Sequence, residues 1–516
     1  MIAFTETYPQ AGVLNITSLS AYLRPSTDVP NFLIEVIRNS PTTLIFILDL
    51  PPRKDLVQHP DYLKTFYEEM QLDKQRQLPE KSNLPRPFTL MSPVAKVMLD
   101  TWLDLCPCTE RRLTDDESTD LAKRDRIIKN KIIDLDLESS FPRLFGQEVA
   151  NQVIGFDSVL NRLVLDHTIE FKSMKIEKKS HTARDVPFLP KKQRERSGHG
   201  SPPAMAVPLF SAQFHTSILT QPLPSSRSFS VGKRLSCSSS STSMEHHESK
   251  FKEFPYASVP HRELMVELVS TVENRLGESL LPCTLPSHVQ YFENESATAH
   301  ASLYVRSGNS SSQVDFILGS WVHCNLPTGG ALNITSLSAY LRPSTDAPNF
   351  LIEVIRSSPT TLILILDLPP RKDLVQHPDY LKTFYEETQL DKQRQLLEKL
   401  PEVKPYFSSS LYIRSLVSPS AILVSIETEP SQAIRIDEII QDHISPVAKV
   451  MLDTWLDLCA CTERRLTDDE SADLAKRDRI IKNKTIEIDL ESSFPRLFGQ
   501  EVANQVLGVL REIYNS

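Results

Sequence analysis

Two carboxylates sit in runs that are otherwise apolar. FLIEVI, from Phe350, carries Glu353. On a strand, Phe350, Ile352 and Val354 point one way while Leu351, Glu353 and Ile355 point the other. Both faces are apolar, so Glu353 stands in an apolar wall. Burying a bare carboxylate is costly, and such a group tends to keep its proton through a raised pKa. A carboxyl still protonated near neutral pH is a proton donor. The alternative is an edge-strand glutamate that reaches solvent or pairs with an arginine. The second carboxylate is Asp489 in TIEIDL, which reads as a short alternating strand. Ile486, Ile488 and Leu490 share one face and Glu487 and Asp489 the other, so on pattern alone Asp489 is solvated. The preceding run KRDRIIKNK contains Lys476, Arg477, Arg479, Lys482 and Lys484 and reads as a net basic, solvated helix end.

Several chemistries are excluded or disfavoured. The chain has 516 residues, room for two or three domains, and 40% of them are hydrophobic. With 37 prolines and 13 glycines, loops are stiff, and neither GxGxxG nor GxxxxGK[ST] occurs. A net charge of -9 gives no reason to expect nucleic acid. No apolar run approaches the length that crosses a bilayer. Seven cysteines in this length do not form a disulfide framework. Four of them form two copies of Cys-x-Cys, Cys106/Cys108 and Cys459/Cys461. This spacing is tighter than the usual zinc pair and no second pair is evident. Reduced thiols on a helix are the plainer reading, a metal site the other.

The elements that must position these residues occur in a long internal repeat. Residues 15–81 match 333–399, and residues 92–155 match 445–508, with few and mild differences. Repeats this long are not solenoid units; they indicate duplication of a whole coding unit. The later copy has Lys399 to Ile444 where the earlier has only KSNLPRPFTLM, and the earlier copy lacks any counterpart of Glu253 to Thr328. We therefore divide the chain into an incomplete copy (1–171), a disordered linker (172–204), a further segment (205–244) and a complete copy (245–516). The segment from Met205 to Met244 has no Asp or Glu and many Ser, which reads as an organelle transit peptide of chloroplast type. Its internal position implies a fusion of two adjacent genes. A Ser-rich linker is the alternative.

Within the complete copy, apolar spacing predicts helices over 263–276, 446–458 and 501–514. Paired strand-like runs predict hairpins at ASLYVRS/SQVDFILGSWVHC, FLIEVI/TTLILILDL and SSLYIRSLV/SAILVSIETE. Many sequential antiparallel strands with helices at the ends give an α+β class, an antiparallel sheet covered on both faces.

The words EFPYASVPHRELM, SGNSSSQVDFILGSWVHC, LPTGGALNITSLSAYLRPSTDAPNFLIEVI, LDLPPRKDLVQHPDYL and FPRLFGQEVANQVLG resemble the plant red chlorophyll catabolite reductase family across essentially all of 251–514. The resemblance implies an α/β/α sandwich like that of the ferredoxin-dependent bilin reductases, and a homodimer. It also implies reduction of red chlorophyll catabolite, an open-chain tetrapyrrole, to primary fluorescent chlorophyll catabolite at the C20/C1 double bond. Electrons would come from ferredoxin, with no flavin, nicotinamide or metal bound. By local motif the family's two proton-delivering carboxylates fall on Glu353 and Asp489. A position governing product stereochemistry falls on Val417, or one residue earlier on Leu416. Ferredoxin is acidic, so the resemblance makes Lys476, Arg477, Arg479, Lys482 and Lys484 docking candidates. It implies the chloroplast, with the mitochondrion as a second compartment, and other chlorophyll-breakdown enzymes as further partners. A tetrapyrrole-binding scavenger without catalysis is the competing reading, and a purely structural interaction protein a weaker one.

Overall fold

A computed structural model describes residues 2–7, 15–38, 44–69, 87–108, 113–132, 250–326, 329–462 and 466–515. The linker at 172–204, the transit-like segment at 205–244 and Asp136, the duplicate of Asp489, lie outside them. The chain divides into two compact units. One comprises Met1–Ala21, Leu33–Asp49 and Asp125–Ala204, the other Tyr22–Phe32, Leu50–Arg124 and Met205–Ser516. The second unit thus holds the complete copy together with much of the incomplete one.

In the first unit, strands β1 (Ile2–Thr7), β2 (Asn15–Ala21), β3 (Phe32–Arg38) and β4 (Leu44–Asp49) form one sheet in that order. The incomplete copy also supplies helices α1 (Pro60–Leu63), α2 (Pro87–Cys108) and α3 (Asp115–Ile132).

The second unit is built on an eight-stranded antiparallel sheet, ordered β11-β12-β10-β9-β8-β7-β6-β5. The strands are β5 (Tyr291–Glu293), β6 (Ala299–Ser307), β7 (Val314–Asn325), β8 (Ala331–Leu341), β9 (Phe350–Ser358), β10 (Thr361–Asp367), β11 (Val403–Pro405) and β12 (Ile422–Glu427). Leaving aside the short helices Ser287–Gln290 and Asp391–Leu397, the helices that bear on the site follow the labels already used. They are α4 (Val259–Leu276), α5 (Pro378–Leu381), α6 (Leu411–Leu416), α7 (Ile434–Ile439), α8 (Ser445–Trp455), α9 (Asp468–Thr485), α10 (Glu491–Phe498) and α11 (Gln500–Asn515).

Strand alternation sorts the sheet into two faces. On the first, Leu337, Ile352, Val354 and Leu364 meet α4, whose buried Leu264, Leu268 and Val272 recur at helical spacing. Trp455 at the end of α8 packs against Phe350, ring centroids 5.8 Å apart, and donates to the Pro348 carbonyl at 3.0 Å. Gly319 lies on this face under the Phe251 ring, where a Cβ would collide with that ring. On the second face, Phe316 and Tyr340 meet Tyr514 of α11 at 5.3 and 5.5 Å. The Lys482 ammonium of α9 lies 5.2 Å over the Phe316 ring. Helices therefore cover both faces, and the class is α+β with a central antiparallel sheet. The large core of the complete copy draws only on residues from Phe251 to Tyr514.

Two buried titratable groups pull stability in opposite directions. His261 is fully buried on α4, with Nε2 2.7 Å from Thr335 Oγ1, and burial pushes its pKa down to about 4 from 6.5. Asp367, at the end of β10, is pushed up to about 6 from 3.8 by burial, partly offset by hydrogen bonds from Ser418 and Leu368. As pH falls from 6.5 towards 4, the unfolded chain protonates its histidine first, so His261's contribution to stability is lost on acidification. As pH rises from 3.8 towards 6, the unfolded chain releases the aspartate proton first, so Asp367's contribution is lost on alkalinisation. Each amounts to about 3 kcal/mol. The two contributions nearly cancel between pH 4 and 6.5. Urea melts across that range are expected to show a steeper loss on acidification for Asp367→Asn than for wild type, and the reverse slope change for His261→Gln. Parallel pH profiles for all three proteins would contradict the opposition.

Candidate functional site

Glu353 lies in the middle of β9 with no exposed surface. It is neither an edge residue nor solvated. Its direct cross-strand neighbours are Ser336 on β8 and Ile365 on β10, so its side chain belongs to the second face. Leu351, Ile355, Ile363, Ile365, Ile334, Leu332 and Tyr406 form a small apolar cluster there. Ser336 shares a 2.7 Å hydroxyl contact with Ser320 of β7, so a short polar row leads across the sheet to Glu353. In the incomplete copy, Glu35 has the equivalent place in β3 but is only half-buried.

A second buried carboxylate, which the sequence reading missed, lies on the same face. Asp367 pairs with Leu351 across the ladder while Ile365 pairs with Glu353. Glu353 and Asp367 are thus diagonal neighbours, about 7 Å apart by strand geometry. Its signal in the sequence was a carboxylate ending the apolar run LILILD. Asp367 accepts hydrogen bonds from both the backbone N–H (3.0 Å) and the hydroxyl of Ser418. That anchor holds Val417, which is half-buried and extended, beside the end of β10.

The hairpin expected at SSLYIRSLV is corrected here. Residues Leu411–Leu416 form helix α6, capped by the Ser410 hydroxyl accepting from the Ile413 N–H at 3.3 Å. Tyr412, Ile413 and Leu416 are its buried residues, at helical spacing. Pro419 favours an extended Ser418, and the strand begins only at Ile422. Val417 is therefore the residue that leaves the helix, not a strand residue, and Leu416 is in the helix core.

The strand expected at TIEIDL is also corrected. Helix α9 ends at Thr485 and continues as a π-helical turn, Ile486–Leu490, into α10. The buried residues Ile486, Leu490, Phe494 and Phe498 recur every four positions, a helical stripe that the two-residue alternation concealed. Asp489 lies in this turn, and such π segments are frequent at functional sites. Ile488 of the same turn packs on the cluster containing Leu416. The chain thus brings the Asp489 turn next to the segment that carries Val417. That segment is bonded in turn to Asp367 on the face of Glu353.

The basic run lies on α9, which is capped reciprocally by Thr467 and Glu470. Lys476 and Arg479 are exposed. Arg477 is buried and paired with Asp55, Lys482 is bonded to Asp315 at 2.7 Å, and Lys484 to Glu487 at 2.8 Å. The five residues therefore do not form one free basic surface. Cys459 is buried and Cys461 exposed, and neither is in a disulfide. Among the described residues no cluster of three His, Cys, Asp or Glu could hold a metal, and no helix is long and apolar enough to cross a membrane.

A tomato phytochromobilin synthase solved with biliverdin aligns with 48% of the chain and 82% of its own, at 16% identity and a TM-score of 0.35. Red chlorophyll catabolite reductase of Arabidopsis thaliana is 50% identical over 279 residues, 53% of this chain and 87% of the relative. The rice protein (Oryza sativa subsp. japonica) named red chlorophyll catabolite reductase 1 is 43% identical over 258 residues, 50% of this chain and 78% of the relative. Both names carry the word chloroplastic. The family described as red chlorophyll catabolite reductase matches residues 3–92, 88–157 and 260–512. With both copies matched, the chain belongs to the red chlorophyll catabolite reductase family of oxidoreductases.

Proposed function

We propose that the complete copy reduces red chlorophyll catabolite to primary fluorescent chlorophyll catabolite at the C20/C1 double bond, with electrons from reduced ferredoxin and no redox group of its own. The carrying observation is Glu353, a wholly buried carboxylate in the middle of an apolar sheet face. Saturating one carbon–carbon double bond takes two electrons and two protons. Ferredoxin supplies the electrons one at a time, and the protein supplies the protons. Glu353 is one donor and Asp489 the other. Asp367 holds Ser418, and with it Val417, against the sheet, where the side chain at 417 contributes to which face of the tetrapyrrole is protonated. The names of the relatives support the chloroplast as the compartment.

Glu353→Gln and Asp489→Asn are each expected to lower turnover about a hundredfold or more while substrate still binds. The assay is anaerobic conversion with reduced ferredoxin, read as fluorescent product. Wild type that binds the tetrapyrrole without turning it over would favour the scavenger reading instead. Glu35→Gln in the same chain is expected to leave turnover unchanged, because the incomplete copy lacks the strands and helix that build the face. Equal losses from Glu35→Gln and Glu353→Gln would show two working sites.

Val417→Phe is expected to change the ratio of product epimers resolved by chromatography. An unchanged ratio removes position 417 from stereocontrol.

Ferredoxin docking is assigned to the exposed pair Lys476 and Arg479. Charge reversal at both is expected to raise the apparent KM for ferredoxin several-fold at low ionic strength, and salt to weaken the wild-type interaction. A KM insensitive to both would place docking elsewhere.

A further inference from the structure

Once it has lost its proton, Glu353 is a charge that bulk water cannot hydrate, because the residue has no exposed surface. Along β9 it stands between Leu351 and Ile355, and on β10 it faces Ile365. The polar side chain directly beside it in the ladder is Ser336 on β8. Ser336 is fully buried, and so nearly is Ser320 behind it on β7.

Two hydroxyls carry two protons, and the 2.7 Å bond between Ser320 and Ser336 uses only one of them. Which hydroxyl donates follows from what surrounds the pair. Opposite Ser320 on β6 is Leu303, and beside it on its own strand are Leu318 and Val322. Ser338, a further hydroxyl on this face, donates to the Leu318 carbonyl. A Ser320 proton turned away from Ser336 would thus meet apolar groups, and a buried hydroxyl proton without an acceptor is costly. Ser320 therefore donates to Ser336. That leaves the Ser336 proton for the next group in the row, which is Glu353. Directly opposed residues have Cβ atoms about 4.5–5.5 Å apart, a gap that a serine hydroxyl and a glutamate carboxyl close by side-chain rotation. Catalytic hydrogen bonds often tighten in this way only when substrate is bound.

We propose that Ser336, backed by Ser320, is a positioning residue for Glu353, its hydroxyl donating to the carboxylate that forms when Glu353 gives its proton to the tetrapyrrole. The inference rests on the reading of Glu353 as a proton donor. In that step the proton leaves the carboxyl for a tetrapyrrole carbon that carries electrons delivered by ferredoxin, and the carboxylate keeps the electron pair of the O–H bond. In an apolar wall the new charge would hold the proton back. A dipole already aimed at the place where charge develops lowers that cost. Polarised by Ser320, the Ser336 hydroxyl is the stronger donor.

The test must single out Glu353, because other titratable groups share its face. They are Asp367 on β10, Tyr340 on β8 and Tyr406, with Lys482 of α9 over the Phe316 and Tyr340 rings. Asp489 follows in the π turn. Infrared difference titration of the full chain does this without turnover: the spectrum minus that of Glu353→Gln isolates the Glu353 carboxyl. The same subtraction is made in each serine variant. Ser336→Ala is expected to raise the midpoint of the protonated carboxyl band by about one pH unit or more, since a hydrogen bond to the charged form is lost. Ser320→Ala is expected to raise it by less. Ser320→Ala with Ser336→Ala leaves no orphaned hydroxyl, which guards against misfolding, and is expected to match Ser336→Ala because Ser320 acts through Ser336. In turnover, the alkaline limb of kcat is expected to move up with the midpoint, while kcat at neutral pH falls severalfold and KM for the tetrapyrrole stays within about twofold. A lower melting temperature with midpoint and limb unmoved would mark the pair as structural and overturn the proposal. So would a Ser320→Ala shift that adds in full to that of Ser336→Ala. Either result stands apart from the role of Glu353 itself, which is lost only if Glu353→Gln turns over normally; that outcome would overturn the donor reading and this inference with it.

Discussion

The guanidinium of Arg371 is fully buried at the end of the central sheet, and the geometry of the site depends on how it is satisfied. Both its Nε, at 3.1 Å, and one terminal nitrogen donate to the Asp478 carboxylate on α9. The other terminal nitrogen donates to the backbone carbonyls of Thr345 at 2.7 Å and Ala347 at 3.3 Å, in the connection between β8 and β9. One side chain thus ties three parts of the second unit: the loop after β10, the loop before β9 and the helix that leads to Asp489. A buried guanidinium with only half of these partners would carry a desolvation cost of several kcal/mol. Because the partners are complete, the fork acts as a geometric clamp. It fixes the middle of α9, the helix that runs on into the π turn of Asp489, to the loops beside β9 and β10.

The duplicated sequence keeps local contacts of the same kind, while Glu35 is less buried than Glu353. In the incomplete copy Arg53 still donates to the Arg24 carbonyl at 3.1 Å, Lys54 still pairs with Asp28 at 2.9 Å, and Trp102 still donates to the Pro30 carbonyl at 2.8 Å. Their equivalents Lys372–Asp346 and Trp455–Pro348 do the same in the complete copy, at 2.8 and 3.0 Å. These contacts are short in sequence or lie within the repeated words, so they survive duplication. What the incomplete copy lacks is non-local: the α4 counterpart, the strands of 299–325 and the α6 segment. A carboxylate buried as fully as Glu353 needs such surroundings, since strands beside it and helices across both faces remove it from water.

The residues show where sequence pattern carries structure and where it fails. Helix α4, the β6–β7 and β9–β10 hairpins and helix α11 follow the spacing of their apolar residues, because each buries a face along its whole length. Glu353 was legible for the same reason, since a lone carboxylate among apolar neighbours on both faces is informative. LYIRSL and TIEIDL were not. Both are short, both alternate, and both are rich in Ile and Leu, which suit either element. Their state was decided by distant partners: Ser410 caps the first, and the second extends a helix already clamped through Asp478. Asp367 was overlooked because a carboxylate at a strand end usually reaches solvent; here Ser418, from 51 positions away, covers it.

The same distinction separates the two roles of α9 and its neighbours. The inward side of α9 carries Asp478 and Lys482, which hold the helix to the sheet through Arg371 and Asp315. Arg477, one residue earlier, turns instead to Asp55 of the incomplete copy. Helix α6 is shared in the same way: its C-terminal exit carries Val417 to the sheet face, while Tyr412, Ile413 and Leu416 receive Val57 and Leu63. Contact with the incomplete copy and the path of the chain into Val417 therefore use the same two helices. The incomplete copy packs on α6 and so bears on the chain leaving it, through Leu416 into Val417 and the Ser418–Asp367 bonds. The incomplete copy has no α6 of its own, so it bears on that support from one side only.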